Sequence, residues 1–214
     1  MSAAINTARH LVILLIIGFV TYCSFSNGIT LFSFHPPLML TGFLLLMTEA
    51  VMVFSNDSAF HQKLTNSNRL DFHGGLQFCA GIFIALGFLS IKYSKVEPTD
   101  DEEPSFHSNV GYATCLLSSG AFCGGILARF GGVLKLPVKL IRIFHALFGS
   151  LAYYLALNAI CSGLNSEWLQ SHVSQNVIYA LMGTVIVIGA AAVYTPIFGI
   201  YDRVKRLFAK DKKR

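Results

Sequence analysis

Apolar residues along this chain run in long, nearly unbroken stretches, not in the strict alternation of a half-buried strand or the one-sided stripe of a surface helix. Six stretches can be drawn, at about residues 9–27, 36–55, 73–93, 107–129, 141–163 and 176–200. Each has close to the roughly 20 residues that a helix needs to cross the hydrocarbon core of a bilayer. The polar segments between them are short, with no low-complexity tract and no linker long enough to separate a second folding unit. The pattern therefore predicts an all-α integral membrane protein. It forms a six-helix bundle, a single domain over 1–214 with core helices at about 36–163 and flanking helices at about 9–27 and 176–200. The first stretch, HLVILLIIGFVTYCSF, has only Arg9 before it and no clear small-x-small site, which favours a retained helix over a cleaved signal peptide.

Composition points the same way: hydrophobic residues make up 54%, charged residues 13%, and mean hydropathy is +0.59. Charge then orients the bundle. Fourteen of the 16 Lys and Arg residues fall in the N-terminus, the second and fourth loops and the C-terminus, leaving only Lys92 and Lys95 in the other loops. Basic residues accumulate on the cytoplasmic side, so both termini are expected there.

Four histidines stand at or near the start of successive stretches: His35, His73, His107 and His145, at intervals of 38, 34 and 38 residues. Consecutive crossings run in opposite directions, so His35 and His107 should share the lumenal or extracellular face, and His73 and His145 the cytoplasmic face. Both pairs are separated by 72 residues, and the repeated 38-residue interval suggests a duplicated helix pair. A single membrane histidine is ordinarily an interfacial polar group or an interhelical hydrogen bond. Two matched pairs at opposite faces are instead what two six-coordinate hemes require, because neutral imidazole is a common axial ligand. This suggests electron movement across the membrane. His10, His61 and His172 fall outside the pattern and read as interfacial or solvent-exposed.

Around these positions the sequence resembles the cytochrome b561 family of transmembrane ascorbate-dependent reductases. The resemblance rests on LFSFHPPLMLTGF, LDFHGGLQ, FHSNVGY and IFHALFGSLAYY, with LMTEAVMVFS pointing to the short domain-containing subgroup. It covers nearly the whole chain. It implies two heme b groups, one held by His35 and His107 on the non-cytoplasmic side and one by His73 and His145 on the cytoplasmic side. It also implies cytosolic ascorbate as electron donor and monodehydroascorbate radical or ferric iron as acceptor opposite. A homodimer is compatible with the resemblance. Readings from other classes are a heme-binding electron-transfer subunit of a partner enzyme and a heme-free, histidine-dependent transporter.

Several other residues are candidates. Lys63, Arg69, Lys135, Lys139 and Arg142 flank the cytoplasmic pair, where cations would attract anionic ascorbate or anchor heme propionates. The positive-inside bias accounts for most of them. Arg69 and Arg142 stand out because they lie four and three residues before their histidines, on the same helical side if the helices extend that far, with Lys139 beside them. The acidic run Glu97, Asp100, Asp101, Glu102 and Glu103 precedes His107 and is either a solvated loop or a cation-concentrating surface for ferric iron. Glu49, 14 residues past His35, is a costly ionisable group within a crossing, open to facing heme, carrying a proton or snorkelling. Gly74, Gly75, Gly111, Gly120, Gly124, Gly125 and Gly149 lie beside the histidines, where small residues admit a flat macrocycle or tight helix packing.

The five cysteines show neither CxxC nor CxxCH spacing, which argues against structural zinc and covalent heme attachment and leaves them as buried small hydrophobes. There is no phosphate-binding glycine loop or dinucleotide fingerprint. The basic C-terminus reads as a membrane-side tail and not as nucleic-acid binding. It ends in KDKKR, whose Lys210 and Lys212 resemble a dilysine retrieval signal, favouring the endoplasmic reticulum or another endomembrane over the plasma membrane.

Overall fold

The structure, a computed structural model, describes residues 3–54, 65–94 and 104–211. Six long helices fill it: α1 (Ala3–Phe25), α2 (Leu31–Met52), α3 (Asn66–Ser94), α4 (Phe106–Phe130), α5 (Val138–Leu164) and α6 (Gln175–Asp211). A single turn, Glu167–Gln170, precedes α6, and among the described residues there is no strand. All six helices carry a segment long and apolar enough to cross a bilayer, so this is a multi-pass integral membrane protein.

Helix starts are set by local chemistry. Thr30 caps α2 reciprocally with Ser33, each side chain taking the other's backbone N–H at 3.3 and 3.2 Å. Ser105 Oγ accepts the Ser108 N–H at the start of α4. Several helices begin earlier than the apolar pattern indicates. α3 starts at Asn66 and α5 at Val138, so His73 and His145 sit about two turns inside their helices and not at the edge. The polar sequence NSNRLD before His73 looks like a loop in hydropathy, yet it continues the helix beyond the apolar layer.

Helix α2 is irregular. Pro36 and Pro37 lie within it and supply no N–H to its ladder, and Leu40–Met47 winds as a π-helix before α-helix resumes over Thr48–Met52.

The buried core sits between four of the helices. It is built from Ile13, Ile16 and Val20 of α1, Leu40, Phe43 and Leu44 of α2, Tyr153 and Ala156 of α5, and Ile178 and Val185 of α6. Helices α3 and α4 contribute little to it: among the described residues, Ala80, Gly87 and Ser90 of the first and Thr114 and Ala121 of the second are buried. α3 lies along α2 and α4 along α5, giving two hairpins set on the central helices. Glycine allows the close approach within the first hairpin: a Cβ on Gly42 would stand 2.6 Å from Ile84 Cγ1 and 3.2 Å from the Ala80 carbonyl oxygen. The cysteines are free, but only Cys23 is buried, while Cys79 and Cys123 are exposed. An outward position in an apolar solvent costs a thiol little, which is why the expectation of uniformly buried cysteines does not hold.

Candidate functional site

The four histidines meet in two pairs at opposite ends of the bundle. At the end where α1 begins, here called proximal, the His73 and His145 rings stand 6.1 Å apart between centroids, at 86° to one another. At the distal end the His35 and His107 rings are 6.2 Å apart, at 81°. Each pair joins one hairpin to the other, α3 to α5 and α2 to α4. Fourteen residues separate His73 from Gly87, level with the distal pair, so the two sites lie about 21 Å apart along the axis at 1.5 Å per residue.

Each imidazole is oriented by a main-chain carbonyl of the neighbouring helix. His35 Nδ1 donates to the Gly87 oxygen at 2.9 Å, His73 to Ala50 at 2.8 Å, His107 to Ala159 at 3.0 Å and His145 to Ala121 at 2.8 Å. Ser162 Oγ adds a second contact to His107 Nδ1 at 3.2 Å. A carbonyl oxygen only accepts, so the proton of each neutral ring resides on Nδ1 and the lone pair on Nε2. Metal-binding histidines are ordinarily held in this way. With metal–nitrogen bonds of about 2 Å, two rings on one ion have centroids roughly 6 Å apart, the separation seen at both ends. The residues present therefore fit a bis-imidazole heme at each end.

The hydrogen bonds expose the duplication of the two hairpins. His35 and Gly87 are 52 residues apart, as are His107 and Ala159. At the proximal end the separations are 23 for His73 and Ala50 and 24 for His145 and Ala121. The difference arises because α2 places one more residue between its histidine and its carbonyl than α4 does, and the π-helical segment lies in that interval.

Glycines shape the ring surroundings, though only some of those expected. Gly124 and Gly125 face His145, the second closely: a Cβ on Gly124 would keep ordinary contact at 3.8 Å, whereas one on Gly125 would stand 3.1 Å from the ring Cε1. Gly163, which the sequence did not single out, holds the same relation to His107 at 3.0 Å. A Cβ on Gly74, Gly75, Gly111, Gly120 or Gly149 would meet no neighbouring atom within 4 Å, so helix–helix contact does not explain those five. Phe54 packs on His73, with centroids 5.2 Å apart.

Of the cationic candidates, Arg69 and Arg142 do lie on helix, one turn before their histidines. Arg69 is partly buried, and its Nε has no hydrogen-bond partner among the described residues. Lys139, Arg142 and Lys135 are exposed. An ion pair not anticipated, Arg129 to Asp71 at 2.9 Å, ties α4 to α3 at this end, but it is half exposed and so contributes little to stability. Lys63, His61, Lys212 and the acidic run from Glu97 to Glu103 lie outside the described residues. His172 is partly exposed and bonded to the Trp168 carbonyl at 2.8 Å, close to the interfacial expectation.

Glu49 neither snorkels nor stands alone. Its Oε1 accepts from Arg9 Nη2 at 2.9 Å, and His10 Nε2 lies 2.9 Å from the same oxygen, joining α2 to α1 within the bundle. His10 is therefore an interhelical partner and not simply an interfacial residue. Beside Glu49, Thr48 and Tyr153 share a 2.7 Å hydrogen bond between α2 and α5 and are fully buried.

Comparison with known sequences agrees with this geometry. The family described as eukaryotic cytochrome b561 matches residues 34–170, the segment that carries all four histidines. The bovine protein named transmembrane reductase CYB561D2 is 30% identical over 81% of this chain and 78% of its own length. The human protein of the same name is 30% identical over 80% of this chain and 77% of its own. A Caenorhabditis elegans CYB561 homolog with the words transmembrane ascorbate-dependent reductase in its name is 21% identical over 66% of this chain and 55% of its own. The protein is thus a member of the cytochrome b561 family of heme b-binding transmembrane oxidoreductases, similar to the CYB561D subgroup.

Proposed function

We propose that this protein is a di-heme transmembrane oxidoreductase that carries electrons from cytosolic ascorbate to monodehydroascorbate radical or ferric iron on the lumenal or extracellular side. The observation that carries this reading is the matched pair of facing imidazoles at each end, every one held through Nδ1 by a backbone carbonyl. His73 and His145 hold one heme b at the proximal end, and His35 and His107 the second at the distal end. Heme b supplies a one-electron iron couple whose potential the protein tunes through ligands, hydrogen bonds and burial.

The chain's own residues do the rest. The four carbonyls hold the tautomer, and Gly125 and Gly163 leave room for the rings of His145 and His107. The positive-inside bias supports a cytoplasmic proximal end, which carries Arg69, Arg129, Lys139 and Arg142. Ascorbate arrives there as an anion, and Arg69, Lys139 and Arg142 attract and bind it. The unpartnered Nε of Arg69 makes that residue the first choice for a contact with the donor or with a propionate. The C-terminal KDKKR supports an endoplasmic reticulum or related endomembrane location.

The test is a visible spectrum and heme-to-protein ratio of the detergent-purified protein before and after ascorbate, beside His35→Ala and His73→Ala. The expected result is about two low-spin b-type hemes per chain, reduced by ascorbate, with one lost in each variant. Folded protein without heme would overturn the reading in favour of the transporter. Hemes indifferent to ascorbate would instead assign the chain to a partner enzyme as its electron-transfer subunit.

A further inference from the structure

The last α-helical turns of α2 carry three consecutive residues with different attachments. Thr48 bonds to Tyr153 of α5, Glu49 accepts from Arg9 of α1 with His10 beside it, and Ala50 presents its carbonyl to His73 of α3. Immediately before them lies the π-helical segment Leu40–Met47, where α2 absorbs its one-residue excess over α4. A π turn is a local change of winding within an α-helix, and gaining or losing one shifts the register beyond it by one residue, a rotation of about 100°. The helix end that bears Ala50 therefore needs fixing from outside its own ladder. Its counterpart in the other hairpin, Ala121, follows a helix without such a segment.

We infer that Glu49, held by Arg9, is a positioning residue for the proximal histidine pair. The inference rests on the di-heme reading above. The ion pair spans 40 residues of chain and sets the rotation of α2 at Glu49, one residue from the carbonyl that orients His73. Arg9 is 8% exposed, and its Nε and Nη1 find no partner among the described residues, so Glu49 is its principal anchor. Cutting a buried pair leaves a desolvated charge that moves to find water or another partner. Such a movement at Arg9 or Glu49 turns the Ala50 carbonyl and with it the plane of the His73 ring. The distal pair is oriented by Gly87 and Ala159 and lies beyond the π segment, so it is insulated. Thr48 and Tyr153 form a second hold on the same turn.

The test uses the full-length protein with heme bound, studied by electron paramagnetic resonance and redox titration. Variants are Glu49→Ala, Arg9→Gln, the double variant, and the milder Glu49→Asp and Arg9→Lys for the case that the first two do not fold. The expected result is a shifted low-spin signal and a shifted midpoint potential for one heme, the one that His73→Ala removes. The other heme stays as in wild type, and the double variant goes no further than either single one. Unchanged signals in folded variants would overturn the inference and leave the ion pair as a helix-packing contact. A changed potential with an unchanged low-spin signal would overturn it too, by showing a charge effect without reorientation, as would equal shifts at both hemes. Wild-type protein carrying fewer than two hemes per chain would overturn the di-heme reading itself, and this inference with it.

Discussion

At the level of single residues, the four histidines were legible because covalent spacing and helix reversal together fix which end of the bundle each occupies. Their partners were not. Gly163 stands 56 residues from His107 and Glu49 stands 40 from Arg9, and a hydropathy pattern carries no information about contacts at such range. The glycine contacts lead to a prediction. Gly125→Val and Gly163→Val push branched carbons into the rings of His145 and His107, where even a Cβ lies 3.1 and 3.0 Å away. Overpacking of this kind costs about 1–3 kcal/mol, enough to tilt a ring off its ligand position. Each variant is expected to lose heme from its own pair only, read as a heme-to-protein ratio falling from about two toward one.

The six helices themselves were predictable, their ends less so. Hydropathy follows the apolar layer, whereas α3 and α5 extend past it through polar turns such as NSNRLD. The winding of α2 was invisible, since one additional residue in an apolar helix leaves no mark on composition. Contacts between helices nevertheless give measurable expectations. Thr48→Val strands the Tyr153 hydroxyl in a fully buried position, which costs about 1–3 kcal/mol, while Thr48→Val with Tyr153→Phe removes both partners and is closer to neutral. Thermal unfolding of the detergent-purified variants should rank them in that order. Gly42→Ala forces α2 and α3 apart against Ile84 and the Ala80 carbonyl, and is expected to destabilise by about 1–3 kcal/mol in the same assay.

For the molecule as a whole, two hairpins resting on a shared core make the lateral helices depend on whatever joins the histidine pairs. Few side chains of α3 and α4 are buried, so without heme these two helices should exchange amide hydrogen before α1, α2, α5 and α6 do. Heme binding favours the folded state by mass action and should raise the unfolding temperature as heme is titrated into the apoprotein. Charge predicts the orientation, and of the residues counted Arg9 is spent on an internal ion pair. Protease or tag-accessibility measurements on sealed vesicles are expected to find both termini on the cytoplasmic side.

Every ring meets a main-chain oxygen through Nδ1, of Ala50, Gly87, Ala121 or Ala159, and at His107 the Ser162 hydroxyl adds a side-chain contact. A carbonyl cannot be deleted by a point mutation, so these four hydrogen bonds offer almost no target to sequence drift. Substitution at Ala50, Ala121 or Ala159 leaves the acceptor atom in place, whereas a Cβ on Gly87 would stand 3.1 Å from Leu38 Cβ and press α3 away from α2. Sequences can therefore diverge widely around fixed histidines while the tautomer is kept, and damage to a site is expected to arise from displacement of a helix.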